Sequence, residues 1–164
     1  MTADALRIAF YTPEQLETVA DLFHDMSVHY HGQGASDRSV VRTNLAENIL
    51  SEHSGVRLVV ASDGGRAVGV ASVAILYPAP RERGQLFMKE IYVVAGCRGQ
   101  GIGKALVHFV ARYALDMGCS RFDWTVDRDN ERAMVFYRRL GALPANDKVY
   151  FRVSGADLER LGVT

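Results

Sequence analysis

With 164 residues, 48% apolar and 23% charged, the chain is long enough for one domain with a buried core and has the composition of a soluble globular protein. A formal net charge of zero supplies no general basic excess for nucleic acid or an acidic membrane surface. No run approaches the roughly 18 apolar residues that span a bilayer. Met1–Ile8 lacks the basic-then-apolar order of a secretory leader, and Cys97 and Cys119 stand outside any paired zinc spacing; the expectation is a cytoplasmic protein with reduced thiols and no metal.

In chain order, Leu6–Tyr11 reads as a short strand, and Thr12-Pro13-Glu14-Gln15 opens a helix with a capping-box pattern. Leu16, Val19, Phe23, Met26 and Tyr30 follow at helical spacing, and Gly32-Gln33-Gly34 ends the run. A second helix is expected over about Asp37–Glu52, with Val41, Leu45 and Ile49 four apart and Gly55 as its stop. Val56–Ala61 and Ala67–Tyr77 are strands joined by an Asp63-Gly64-Gly65 hairpin turn, because glycine accepts the positive φ such turns need. The second of them is apolar almost throughout, as a strand covered on both faces is. Pro78-Ala79-Pro80 breaks it, Arg81–Gln85 makes a polar loop, and Leu86–Val94 is the next strand.

The clearest helix is Gly101–Met117. Ile102, Leu106, Phe109, Val110, Tyr113 and Met117 form its apolar stripe, Lys104, His108, Arg112 and Asp116 its polar face, and Gly118 its C-terminal cap. Arg121–Val126 is a strand, Asn130–Leu140 a helix closed by Gly141, and Val149–Val153 a last strand. The order β-α-α-β-β-β-α-β-α-β predicts an α/β (α+β) fold over a single domain, residues 1–164, with a mixed central sheet flanked by helices.

Between the strand ending at Val94 and the helix from Gly101 lies a glycine-dense turn, Arg98-Gly99-Gln100-Gly101-Ile102-Gly103-Lys104. Such a turn leaves backbone N–H groups unpaired at a helix N-terminus, where the dipole also favours an anion. Glycines let a phosphate approach the backbone, and Arg98 and Lys104 add positive charge. The spacing excludes a Walker loop: five residues before Gly103 stands Arg98, and Ala105 follows Lys104. A dinucleotide fingerprint fails because its third glycine would fall at Lys104, and that loop opens the first strand–helix unit of its fold.

Arg98-x-x-Gly101-x-Gly103 resembles the acetyl-CoA motif of the GNAT acetyltransferases, Gln/Arg-x-x-Gly-x-Gly/Ala. The resemblance covers nearly the whole chain. It takes in the strand Lys89–Val94, the strand Arg121–Val126, and a second motif, Asn130-x-x-Ala133-x-x-Phe136-Tyr137-x-x-x-Gly141-Ala142. Trp124, Asn130 and Phe136-Tyr137 are most similar to the branch of the diamine (spermidine/spermine) and thialysine N-acetyltransferases. The resemblance implies acetyl-CoA as acyl donor and CoA as product. Tyr92, Val93 and Val94 would line the pantetheine arm, residues 98 to 104 the diphosphate, and Asn130, Ala133 and Phe136 the cofactor's remainder. A C-terminal strand around Lys148–Arg152 implies a homodimer.

The implied reaction is direct acetyl transfer to a primary amine of a small molecule, such as a polyamine or an amino acid. The alternatives are a protein or peptide acetyltransferase and a non-catalytic acetyl-CoA-binding module. An alkylammonium has a pKa of about 10.4 and must lose a proton before it can attack. Glu90 is the candidate base, acting through water, and Tyr137 the candidate acid for the leaving thiolate. Where the polyamine branch carries a further acidic residue, this chain has Lys89; neighbours on a strand face opposite ways unless a bulge intervenes. Lys89 on the substrate side would favour an acceptor bearing a carboxylate. His29 and Tyr30, with His31, end the first helix in a region that borders the acceptor in this family, and Tyr77, Arg81, Asp123 and Asp127 are further acceptor candidates. His29 and His31 do not converge on a metal, since i and i+2 diverge on a helix.

Overall fold

In the computed structural model, which describes residues 6–163, the chain divides after Thr125 into two compact units. Met1–Ala5, part of the N-terminal stretch read above, lie outside the described residues. The first unit holds β1 (Arg7–Phe10), α1 (Leu16–His31), α2 (Arg38–Asn44), β2 (Arg57–Asp63), β3 (Arg66–Ala79), β4 (Arg83–Val93), α3 (Ile102–Asp116) and β5 (Arg121–Trp124). Its five strands form one sheet in the order β1-β2-β3-β4-β5. The first three pairings are antiparallel and β4–β5 is parallel, which gives the mixed sheet expected.

The local signals act as their chemistry dictates. Gln15 Oε1 accepts the Thr12 N–H at 3.0 Å, closing the first turn ahead of α1. Asp63 pairs with Arg66 around Gly64 and Gly65, whose φ values of 55° and 78° match a two-residue hairpin turn. At the far end of α3, the N–H groups of Gly118 and Cys119 reach back to the carbonyls of Leu115 and Ala114, both at 2.9 Å. Gly118 takes φ 69° to allow it.

One face of the sheet carries α1 and α2. Val19, Leu22 and Phe23 of α1 pack with Leu45, Leu58, Val60, Val70 and Tyr92 in a continuous core. Arg38 and Arg42 bind Glu17 at 2.9 and 2.6 Å along the outer seam between the helices, and these guanidiniums, Arg42 first, hold the Glu17 carboxyl below the usual carboxylate range. The other face carries α3. A Cβ on Gly69 would stand 3.2 Å from both Ile102 Cγ2 and Leu106 Cδ1, so the bare glycine lets the first turns of α3 sit directly on β3. Leu106 is fully buried there. Leu106→Ala should lower unfolding free energy by about 3 kcal/mol in a urea titration. A loss within measurement error would show that α3 is not held by this contact.

Several expectations are corrected. The second helix does not run evenly to Glu52: at Leu45–Ile49 it widens to a π turn, with Leu50 N–H on the Leu45 carbonyl at 2.9 Å. The wider turn keeps Leu45 buried while Ile49 and Leu50 also meet the core. The Arg81–Gln85 loop is shorter, because β4 begins at Arg83 and Ala79 pairs with it. Met117 is 47% exposed, outside the buried stripe, because α3 ends at Asp116. No helix among the described residues is long and apolar enough to cross a membrane.

The second unit, Val126–Thr164, contains α4 (Glu131–Arg139) and α5 (Ala156–Gly162). The strand expected at Val149–Val153 is absent: the segment is coil, with Phe151 87% exposed. A β-rich run becomes a strand only beside another backbone that completes its ladder, and the other elements of this unit are helices. The order therefore closes with α4 and α5.

Candidate functional site

The loop after β4 forms the first part of the site. A short 3-10 turn at Ala95–Cys97 leads through Arg98–Gly101 into α3. Gly99 and Gly101 have φ of 80° and 84°, a left-handed conformation that L side chains resist. Adjacent residues aside, no described residue lies within 4 Å of a Cβ built on either. The glycines thus shape the turn and leave the space before it clear. Gly101 caps α3 without a side-chain hydrogen bond, and the first helical bond runs from Ala105 N–H to its carbonyl. The amides of Ile102, Gly103 and Lys104 are therefore left to a partner from outside the helix. Gln100 Nε2 donates to the Gly96 carbonyl at 3.3 Å, and Lys104 is exposed on the first turn. This amide cluster at the positive end of a helix dipole, flanked by cations, fits a diphosphate.

The second part is the exposed edge of β4. The parallel ladder with β5 covers only Gln85–Met88, and no strand among the described residues continues it along Glu90–Val93. Val94 N–H turns to β3, reaching the Val68 carbonyl at 3.0 Å. Backbone groups alternate in direction along an antiparallel strand, so those of Val93 point away from β3. The Val93 carbonyl accepts from Arg98 Nε at 2.8 Å. Of the three residues expected to line the pantetheine arm, Val93 alone presents a backbone edge. The N–H of Val94 is spent on β3, and Tyr92 alternates back toward β3. An amide-bearing arm laid along this edge would find the Val93 N–H as its donor.

The third part is the face toward α1. The β3–β4 register runs Ala71↔Ile91, Ser72↔Glu90 and then Val73↔Met88, so Lys89 has no partner and forms a bulge. The extra residue shifts the alternation by one. Met88, opposite Val73, shares the α3 face with Ile91; Glu90, opposite Ser72, shares the α1 face with Tyr92. Lys89 itself is exposed. Without the bulge, Glu90 would share a face with Met88.

Around Glu90 the end of α1 supplies aromatic side chains. Tyr30 Oη donates to Glu90 Oε1 at 3.2 Å. The His29 ring lies 5.2 Å from that of Tyr30 and 5.7 Å from that of Tyr92, and the two tyrosine rings are 6.4 Å apart. Tyr92 Oη donates to Asp25 Oδ2 at 2.7 Å. Burial, and then the Asp25 carboxylate, push the Tyr92 pKa up to about 12, so the phenol is neutral at physiological pH. Asp123, on β5 opposite Phe87, belongs to the same sheet face and accepts from Gln85 Nε2 at 2.9 Å. Tyr77 lies near the other end of β4, by the hairpin, 67% exposed.

The structure thus gathers Glu90, His29, Tyr30 and Tyr92 in one place and leaves Tyr77 apart. Asp25 is a site residue that sequence reasoning missed; its only signal is a position one helical turn before His29 on the face leading to Tyr30.

In the second unit, Asn130 caps α4, its Oδ1 accepting the Ala133 N–H at 3.1 Å. Tyr137 is the buried side chain of that helix, its ring 5.0 Å from that of Phe136. Ala142 N–H bonds the Tyr137 carbonyl at 3.1 Å, and Gly141, with φ 85°, ends the helix.

Comparison with known proteins agrees with this layout. The model of the acetyltransferase (GNAT) family matches residues 16–142. The mouse thialysine N-epsilon-acetyltransferase is 33% identical over 103 residues, 61% of this chain and 60% of that protein. The mycothiol acetyltransferase of Propionibacterium freudenreichii is 25% identical over 138 residues, 84% of this chain and 43% of that protein. The chain thus spans 60% or less of the length of these curated relatives. Among solved structures, an integron cassette protein from the mobile metagenome of V. cholerae superposes with a TM-score of 0.93 at 31% identity, over 97% of this chain and 98% of that one. An aminoglycoside N-acetyltransferase in complex with CoA shares the fold at a TM-score of 0.72 and 18% identity, over 91% of this chain and 95% of that one. The glycine loop, the interrupted β4–β5 ladder and the match across both units lead to one conclusion: the chain belongs to the acetyltransferase (GNAT) family.

Proposed function

We propose that the protein is an acetyl-CoA-dependent N-acetyltransferase acting on a primary amine of a small cationic molecule. The observation that carries this reading is the amide cluster of residues 98–104 set beside the exposed edge of β4 in one unit. Residues 98 to 104 hold the diphosphate, with Arg98 and Lys104 at its flanks, and Val93 N–H holds the pantetheine arm. Asn130, Ala133 and Phe136 are the cofactor-binding residues of the second unit. Acetyl-CoA supplies an acyl group already activated as a thioester. The two units act as one domain, a reading supported by a family model that runs across their division.

Glu90 is the general base. Its carboxylate removes a proton from the acceptor ammonium through water, and the phenol of Tyr137 protonates the leaving sulfur. Asp25, Glu90 and the rings of Tyr30, Tyr92 and His29 favour a cation by charge and by their π faces. The bulge supports this choice over an acceptor bearing a carboxylate, because it leaves Glu90 toward α1 and Lys89 exposed. Names among the relatives point to amines of the thialysine, mycothiol and aminoglycoside kinds as the panel to test.

The deciding experiment is thiol release from acetyl-CoA against such a panel, run beside Glu90→Gln. The variant should lose about a hundredfold in kcat/KM and the acidic limb of its pH profile, since that limb records the base losing its proton. A Gln variant with the wild-type profile would remove Glu90 from the reaction. We further propose a homodimer, with a second copy of the chain covering the exposed Val149, Tyr150 and Phe151, and a cytoplasmic location, where Cys97 and Cys119 stay reduced.

A further inference from the structure

We propose that Asp25 and Tyr92 are positioning residues that set the pose in which Arg98 meets the cofactor diphosphate; the inference rests on the acetyl-CoA reading above. Arg98 is held from two directions. Its Nε donates to the Val93 carbonyl at 2.8 Å, and its Cζ lies 5.4 Å from the centroid of the Tyr92 ring. The Tyr92 phenol in turn donates to Asp25 at 2.7 Å. A carboxylate on α1, a buried phenol on β4 and a guanidinium in the glycine loop therefore form one chain of contacts within the first unit.

Each link has a physical reason. An arginine has several rotatable bonds and loses their freedom when it grips a phosphate. A side chain already fixed by a carbonyl below and a ring face beside it has less left to lose, so more of the phosphate interaction appears as affinity. Tyr92 provides a rigid face only while its own ring is fixed. Burial at 5% exposure and the hydrogen bond to Asp25 do that. Arg98 pulls the phenol pKa down while burial and Asp25 raise it, in keeping with a guanidinium close enough to feel the hydroxyl. The chain also ties the cofactor loop to the helix that walls the acceptor face. The side that recognises the amine thereby contributes to affinity for the acyl donor.

The test is calorimetry with CoA on four proteins: the wild type, Tyr92→Leu, Arg98→Ala and the double variant, with Asp25→Asn as a second probe. Tyr92→Leu should weaken CoA binding about tenfold, and Asp25→Asn severalfold in the same direction. In the Arg98→Ala background, Tyr92→Leu should have almost no further effect, because the group it positions is gone. Thermal unfolding of each variant reads stability separately. Equal losses from Tyr92→Leu with and without Arg98 would assign its effect to general loosening of the core and overturn the inference. So would full affinity in the single variant. A wild type that binds no CoA fails earlier, and overturns the acyl-donor reading itself.

Discussion

Gly101→Val is expected to weaken CoA binding by about 100-fold or more while leaving the protein folded. The backbone at this position has φ 84°. A β-branched residue there meets a steric cost of about 2 kcal/mol, and its Cβ stands in space that no described residue beyond its chain neighbours reaches within 4 Å. On the acyl-donor reading, that space is where the diphosphate meets the α3 amides. The variant thus combines backbone strain with a methyl-bearing obstacle in front of the anion-binding groups. Gly118→Val is the control. It imposes a similar cost, at φ 69°, on the opposite end of the same helix. Both variants should melt earlier by a comparable amount, and only Gly101→Val should lose the cofactor in calorimetry. Retained affinity in Gly101→Val would mean that the diphosphate binds elsewhere.

Tyr137→Phe should behave in the opposite way, binding CoA normally while kcat falls by about two to three orders of magnitude. The ring remains, so packing in the second unit is nearly conserved, and only the hydroxyl is removed. Its loss should cost about 1 kcal/mol of stability. If the fall in kcat comes from a missing proton donor, acceptors should be affected alike, whatever their size or charge. A single-turnover experiment at saturating acetyl-CoA separates this from slow product release. Undiminished single turnover would require another acid.

The sequence was most readable where chemistry is local. Asp63-Gly64-Gly65 became a hairpin because two successive positive φ angles need glycines. Gly118 and Gly141 marked helix ends for the same reason. The glycine loop and the stripe of Ile102, Leu106 and Val110 placed α3 correctly, with buried positions following a four-residue row. The β3 run from Ala67 to Val73 is buried at every position, as its almost wholly apolar composition indicated, with Ser72 the one polar side chain in it.

What depended on partners distant in sequence was not readable. The run Leu86-Phe87-Met88-Lys89-Glu90-Ile91-Tyr92 carries no glycine or other mark of a bulge, and its register is fixed by pairing with β3. Asp25 looks like any acidic residue on an amphipathic helix until the fold brings Tyr92 to it across 67 positions. Gly69 lies within an apolar strand, and its role emerges only when Ile102 and Leu106 press against it. Val149–Val153 failed for the converse reason: strand propensity forms no strand without a neighbouring backbone.

The unpaired Lys89 gives β4 two reading frames. Upstream of it, even-numbered side chains lie on the α3 face; from Glu90 onward, the even numbers lie on the α1 face and the odd ones on the α3 face. Had the same run paired without the bulge, Lys89 would take the α1 face and Glu90 the α3 face, so one unpaired residue sets the sign of the charge offered beside α1.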